Sequence, residues 1–457
     1  LTWRVFFTCW LIYTVFWTPY IVREHFPALT LVEHGTLNVE PYLDWTEDIF
    51  RGPNGGAFIN NNPGASLAGA IPLVLLRPAL VALDRWNRSQ PAVDVQVKDE
   101  PILQQMAAAK RQYYFMAVAF LTVALVMAPA TAFAASYLCS RLIDAGMSRL
   151  ASAQAAIVYG LGTPLFFRAA HLNHNLLVCD AGFIALLLLW DPRGRPLSTM
   201  RAIGAGLLTG FTLLCDYSGV VVIAAVAAYV FLTARDRLKS LILLSIGLAP
   251  MILALLIYQQ WAFGSFYHPS QHFMTPTAPT AQGYRGIDWP SPALLWANFF
   301  DPRFGLLAYC PALLLAFAAP FLKPKLETFV LLGYFLLFVI FCASNRYSWF
   351  QPLTGFRYLV PVVPALFMLA LQTASVFPPA IRRIVVSASL AQSVIMAAGH
   401  QNTLFKSARY IWVHHFELPW MVRLGDLGLP VTWLWPAMTF SLLAGSLLWL
   451  WVRQTDQ

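Results

Sequence analysis

"QYYFMAVAFLTVALVMAPATAFAASYL", residues 112–138, decides what kind of protein this is. The stretch is 27 residues long and contains no Asp, Glu, Lys or Arg. A helix rises about 1.5 Å per residue and the hydrocarbon core of a bilayer is about 30 Å thick, so roughly 20 apolar residues cross it. In lipid, every backbone N–H and C=O has to be paired internally, which makes such a run a helix. A β-barrel would alternate apolar and polar residues over strands of about ten residues, and no such alternation is present.

The same pattern recurs along the chain. Of 457 residues, 58% are hydrophobic and 11% charged, and the mean hydropathy is +0.61. A soluble domain carries about 25% charged residues. Thirteen apolar segments stand out: 3–20, 64–83, 112–138, 150–167, 172–190, 202–216, 218–234, 240–261, 304–322, 327–344, 358–377, 384–399 and 431–452. The first reads as a retained span rather than a cleaved signal peptide. Four long polar connections separate them, 21–63, 84–111, 262–303 and 400–430, and no Gly/Ser linker divides the chain. The expected fold is an all-α polytopic membrane protein of about 12–13 transmembrane helices, one domain over 1–457 with C-terminal spans in 304–457.

The net charge of +9 sits in scattered loop clusters. In a membrane protein such clusters meet headgroups and set orientation; they are not a nucleic-acid surface. The aromatic share of 14%, with 16 Trp, suits an interfacial belt. Six dispersed cysteines, Cys9, Cys139, Cys179, Cys215, Cys310 and Cys342, lie in or beside apolar runs without C-x-x-C spacing, so they read as packing residues rather than metal ligands.

Lys and Arg mark cytoplasmic connections. By that rule the loop 84–111 (Arg85, Arg88, Lys98, Lys110, Arg111), the RDRLK turn at 235–239, Lys323 with Lys325, and Arg382 with Arg383 face inward. The connections 21–63, 262–303, 345–357 and 400–430 then face outward. Seven segments lie between the first two outward loops, and parity requires an even number. One is therefore not a full crossing. The short segments 202–216 and 218–234, split by Asp216, are the natural suspects.

The first outward loop concentrates acid: Glu33, Glu40, Asp44, Glu47 and Asp48 fall within sixteen residues. "PNGG" and "NNNPG" fold the loop back on itself, and "FPALTLVEHG" reads as a short helix on the membrane surface. Asp44, Glu47 and Asp48 are either solvated loop carboxylates, general bases for an acceptor hydroxyl, or oxygen ligands for a divalent cation. Arg357 and Tyr358 open a span on the outward side. Arg357 is either a snorkelling arginine or a ligand for a lipid phosphate, and Arg346 and Arg303 flank outward span ends similarly. His171 and His174 in "HLNHN" share a helix face, as packing histidines or as hydrogen-bond partners of sugar or phosphate; no third ligand supports zinc. Asp180 and Asp216 read as structural groups within the bundle. Tyr267, His268 and His272 either line an acceptor site or belong to a solvated loop.

Five stretches, in order, resemble the GT-C membrane glycosyltransferases, in particular the bacterial branch related to protein O-mannosyltransferases and aminoarabinose transferases. They are "LVEHGTLNVEPYLDWTEDIF", "FINNNPGASLAGAIPL", "GLGTPLFFRAAHLNHNLLVCDAGFIAL", "LLTGFTLLCDYSGVVVI" and "RYSWFQPLTGFRYLVPVVPALFML". The region "FGSFYHPSQ" through "FFDPRFGLLAYCPALLLAF" is similar to the family's second external loop and following span. The chain departs from the family in two places. The residues before Arg23 and Glu24 read "TPYIV" instead of an acid-acid-x-Arg-Tyr pattern, and Asn61 and Asn62 stand where the family usually has an acid and a lysine.

The resemblance implies a GT-C-like bundle in a bacterial cytoplasmic membrane, with its active site facing the exterior. It implies an inverting transfer from a polyprenyl-phosphate sugar to a hydroxyl of a lipid, glycan or protein acceptor. Asp48 would be the base, followed by Glu47 and Asp44. Arg357, Tyr358, Arg346, Arg303, His171, His174, Asn61, Asn62 and His268 would contact substrate or phosphate. No cofactor is assigned and a divalent cation stays open; membrane lipids are expected partners, and membrane-complex partners stay open. Two other classes remain: a transporter or flippase of lipid-linked sugars, and a non-catalytic subunit of a membrane assembly. No internal repeat and no midplane acid cluster supports the transporter.

Overall fold

A computed structural model describes residues 1–91, 101–274, 281–349 and 357–452. Lys98 of the basic loop and residues 350–356, with Gly355 of the Gly-x-Arg-Tyr stretch, lie outside the described residues.

Each of the thirteen apolar segments carries helix, beginning with α1 (Thr2–Val15), which α2 (His25–His34) of the first loop follows. Among the described residues, five helices are long and apolar enough to cross a membrane: Gln112–Asp144, Arg237–Phe263, Leu326–Ser344, Pro379–Gly399 and Leu434–Val452. Five shorter apolar helices accompany them: His174–Leu189, Thr199–Cys215, Gly219–Thr233, Pro311–Leu322 and Val360–Ala374. The chain is an all-α membrane protein. Its only strands among the described residues are β1 (Ile49–Arg51) and β2 (Ala57–Ile59), an antiparallel pair in the first loop.

The bundle has two distinguishable ends. At one, a cavity of about 1080 Å³ gathers Asp191, Arg195, Arg235, Lys239, Lys323 and Glu327, so the basic turns at 235–239 and 323–325 share one face, as their charge predicts. At the other, loop 21–63 meets the far ends of the same helices. Asn62 Nδ2 bonds the Leu213 carbonyl at 2.8 Å, Gln271 Nε2 bonds the Asn60 carbonyl at 2.7 Å, and His171 packs on His400.

Helices Thr199–Cys215 and Gly219–Thr233 both run from one end to the other: Arg201 and Tyr229 lie at the basic face, Leu213 and Gly219 at the loop face. Both suspects for the incomplete crossing therefore reach the two ends of the bundle. Thr199–Cys215 packs tightly on Arg237–Phe263 through glycines. A Cβ at Gly206 would fall on the Leu244 carbonyl, and one at Gly247 on the Ile203 carbonyl. Small residues let helix backbones meet in this way where lipid supplies no hydrophobic drive.

The break in the bundle falls instead in segment 64–83. The segment forms α3 (Gly64–Leu75) and α4 (Arg77–Ser89), bent by 83°. Pro78 lacks an N–H and has a fixed φ, so it starts a new helix readily but does not continue the old one. Gly64 begins against Leu214 and Cys215 at the loop face, where a Cβ would lie 2.7 Å from their backbone. Asp84 of α4 then pairs with Arg111, and Arg111 pairs with Glu33 at the end of α2 (His25–His34) at 2.5 Å. The described parts of loop 84–111, expected opposite loop 21–63, therefore lie on the same end. Its Arg111 is held by first-loop Glu33 and Tyr42, an attraction that counting loop charge does not register.

Helix Gln112–Asp144 returns from there to the basic face. Pro129 cannot donate to the Leu125 carbonyl, and the backbone widens into a π-type turn at Val123–Met127. Thr122, just before it, bonds His25 Nε2 at 3.1 Å and ties this helix to the first loop.

Candidate functional site

Between the first span and α2 the chain reads "TPYIVREHF", and Glu24 in it is 3% exposed. Its Oε1 accepts from Asn61 Nδ2 at 2.7 Å and from His174 Nδ1–H at 2.6 Å. Three local structures bring these groups together. Glu24 precedes α2, whose first residue His25 is anchored on Thr122. Asn61 follows the β1–β2 hairpin. His174 opens helix His174–Leu189, capped by Asn173, whose side chain accepts from Leu176 N at 2.9 Å. A carboxylate at such an N-terminus also meets the positive end of the helix dipole.

Charge surrounds this core. Arg23 Nε is 3.5 Å from Glu24 Oε1, and Arg23 Nη1 is 3.1 Å from Asp48 Oδ1. His174 Nε2 faces Asp216 Oδ2 at 3.8 Å. Burial works to raise the Glu24 pKa. The His174 hydrogen bond and the charges of Arg23, His174 and Arg357 outweigh it and hold the carboxyl far below its ordinary value. Arg357 is thus close enough to act on Glu24. It also acts on Arg168, a fully buried guanidinium at the end of helix Leu165–Arg168, which burial and Arg357 together push down to about 9. Beside Arg168, His171 and His400 meet edge to face at 5.3 Å, and Tyr20 stacks on His400. Burial, with Arg168 nearby, lowers both imidazoles, His400 to about 3. His171 Nδ1 and both ring nitrogens of His400 are buried without a hydrogen-bond partner.

The sequence-derived candidates divide. His174 and Asn61 are in the core, Arg357 is within its field, and Asp48 sits at its rim, 42% exposed and bonded by Asn60 Nδ2 at 2.9 Å. His171 belongs to the adjoining imidazole pair. Tyr358 lies under Arg357, with the guanidinium 5.1 Å from its ring. The others stand apart. Asp44 and Glu47 are exposed and form no ion pair among the described residues. Asn62 is used by the Leu213 carbonyl. Arg346 pairs with Asp288 at 2.7 Å, and Arg303 pairs with Asp301 at 2.8 Å on the surface. His268 is exposed and stacks on His272 at 4.2 Å. No cluster of three or more His, Cys, Asp or Glu is arranged to hold a metal ion among the described residues.

The residue at the centre, Glu24, was not among the sequence candidates, nor were Arg23, Arg168 and His400. The available signal was an acid four residues past the end of the first apolar run, at the very start of the connection 21–63, where a charge beside the bundle needs a partner. Compared with protein-family models, with curated proteins and with solved structures, the chain has no match in any of the three.

Proposed function

We propose that this chain is an inverting glycosyltransferase that moves a sugar from a polyprenyl phosphate to an acceptor hydroxyl at the loop face. The bundle would be GT-C-like. With α3 and α4 returning to the face they left, twelve crossings remain and both chain ends described fall on the basic side. By charge that side is cytoplasmic, and the site faces outward.

The single observation that supports this reading is the buried Glu24–His174 pair within the field of Arg357 and Arg168. A departing lipid phosphate needs cationic donors, and guanidinium groups suit it. His171 and His400 add buried ring nitrogens with unused hydrogen-bonding capacity beside Arg168. An attacking hydroxyl needs a base. Glu24 binds its proton too weakly to serve well, since an effective base has a pKa near the working pH. It is better suited to hold the imidazole by Nδ1, leaving Nε2 to take the proton, as a buried carboxylate orients a catalytic histidine elsewhere. The acceptor oxygen attacks the anomeric carbon, the bond to the phosphate oxygen breaks on the opposite side, and the phosphate leaves with the electron pair. Asp48 moves from base to rim: it positions Arg23.

A non-catalytic assembly subunit is the second reading, favoured by how completely Glu24 and Asn62 are already bonded within the chain. Purified protein with synthetic polyprenyl-phosphate sugars separates the two, with released polyprenyl phosphate as the readout. Turnover that falls by about 100-fold or more in His174→Ala and Glu24→Gln supports the enzyme. No release with any donor, or release unchanged in both variants, removes it.

A further inference from the structure

A cavity of about 500 Å³ opens between α2, α4 and the start of helix Gln112–Asp144, away from Glu24. Its floor is an ion cluster. Arg111 Nε meets Asp84 at 2.7 Å and Arg111 Nη2 meets Glu33 at 2.5 Å, while Tyr42 and Tyr114 donate to Glu33 at 2.8 and 2.9 Å. Arg88 closes it on Asp84 at 3.1 Å. Four arginines (77, 85, 88, 111) against two acids (Glu33, Asp84) leave the lining with an excess of two positive charges. That excess is Arg77 and Arg85, both exposed, neither with an ion-pair partner among the described residues. They lie eight residues apart on one face of α4, along with Val81 and Arg88.

Their position is anomalous. Basic residues are disfavoured on the side away from the other Lys/Arg clusters, yet these sit at the loop end, opposite the 235–239 and 323–325 turns. An apolar shelf adjoins them: Ile71, Val74, Leu75, Leu76, Val81 and Trp86 are all exposed, Leu75 at 75%. Trp86 packs against Tyr113 at 5.6 Å, as aromatic residues do at headgroup depth. Basic residues beside exposed apolar ones on a short amphipathic helix are what a membrane-surface helix presents.

We propose that this groove binds the headgroup of an anionic phospholipid, with Arg77 and Arg85 on its phosphate and the acyl chains over the Leu75–Trp86 shelf. A free phosphate would have no use for the shelf, and a zwitterionic lipid would not neutralise the excess charge. The site is separate from the Glu24 cluster and holds whether or not the chain is an enzyme.

The test uses full-length protein in detergent, with native mass spectrometry counting bound dioleoyl phosphatidylglycerol and dioleoyl phosphatidylcholine. Each Lys or Arg near an anionic surface contributes about 1 kcal/mol, so Arg77→Ala with Arg85→Ala should weaken phosphatidylglycerol binding about 30-fold. Arg77→Lys with Arg85→Lys keeps the charge and should retain most of it, which separates loss of charge from loss of fold. Equal retention of phosphatidylcholine, an unaltered double alanine variant, or a lysine variant as weak as the alanine one would each overturn the proposal. So would displacement of the lipid by millimolar inorganic phosphate, which would mark a site for a free anion.

Discussion

Glu24→Gln keeps the shape of the side chain and removes its charge, so it isolates what the charge does. The wild-type carboxyl is held below its ordinary value near 4.5, so its contribution to stability is complete above that pH and is lost as pH falls toward the depressed value. Thermal melting of the wild type should therefore drop more steeply below about pH 4.5 than that of Glu24→Gln, and the two should run parallel between neutrality and that point. Glu24→Ala removes a buried partner from Arg23, Asn61 and His174 and should cost about 3–5 kcal/mol. Arg303→Ala, which breaks only a surface pair with Asp301, should change the melting free energy by less than about 0.5 kcal/mol. If Arg303→Ala proves as damaging as Glu24→Ala, burial is not what ranks these charges. Residue type could not make that ranking from the sequence. Asp44, Glu47 and Asp48 looked alike in the chain, and so did Arg303 and Arg357; only burial and neighbours separate them.

At the scale of elements, tight crossings and breaks carry the argument. Gly206→Leu puts a side chain where the Leu244 carbonyl lies, and Gly247→Val does the same at Ile203. Each should destabilise the bundle by about 3 kcal/mol, the upper range for overpacking, while Gly333→Ala on an open helix face, where a Cβ meets nothing within 4 Å, should not. Detergent melting temperatures compare the three directly. Helix existence was legible throughout, because apolar length alone makes helix in lipid. The bend between α3 and α4 was less so. Pro78 marks a break, but a proline inside an apolar run is also compatible with a kinked crossing. Arg111→Met would leave Glu33 and Asp84 facing each other across the groove, and should lower stability by about 3 kcal/mol.

For the whole molecule, sidedness is the quantity to measure. Single cysteines at Arg85 and at Lys239, in a background with the six native cysteines replaced, should be labelled by impermeant maleimide from opposite sides of sealed vesicles. Labelling from the same side would restore 64–83 as a crossing and remove the twelve-span topology. The sequence by itself determined the class, the helices and the grouping of the 235–239 and 323–325 basic turns at one end, because these follow from local hydrophobicity and charge and need no knowledge of partners. Only the tertiary structure decided that Asp84 and Arg111 pack beside the first loop and that Glu24, rather than the acids of the exposed loop, sits at the centre of the charged cluster. Both depend on pairings between residues dozens to more than a hundred positions apart, Glu33 with Arg111 and Glu24 with His174, and a charge that is satisfied at such range reads in one dimension the same as one left in water.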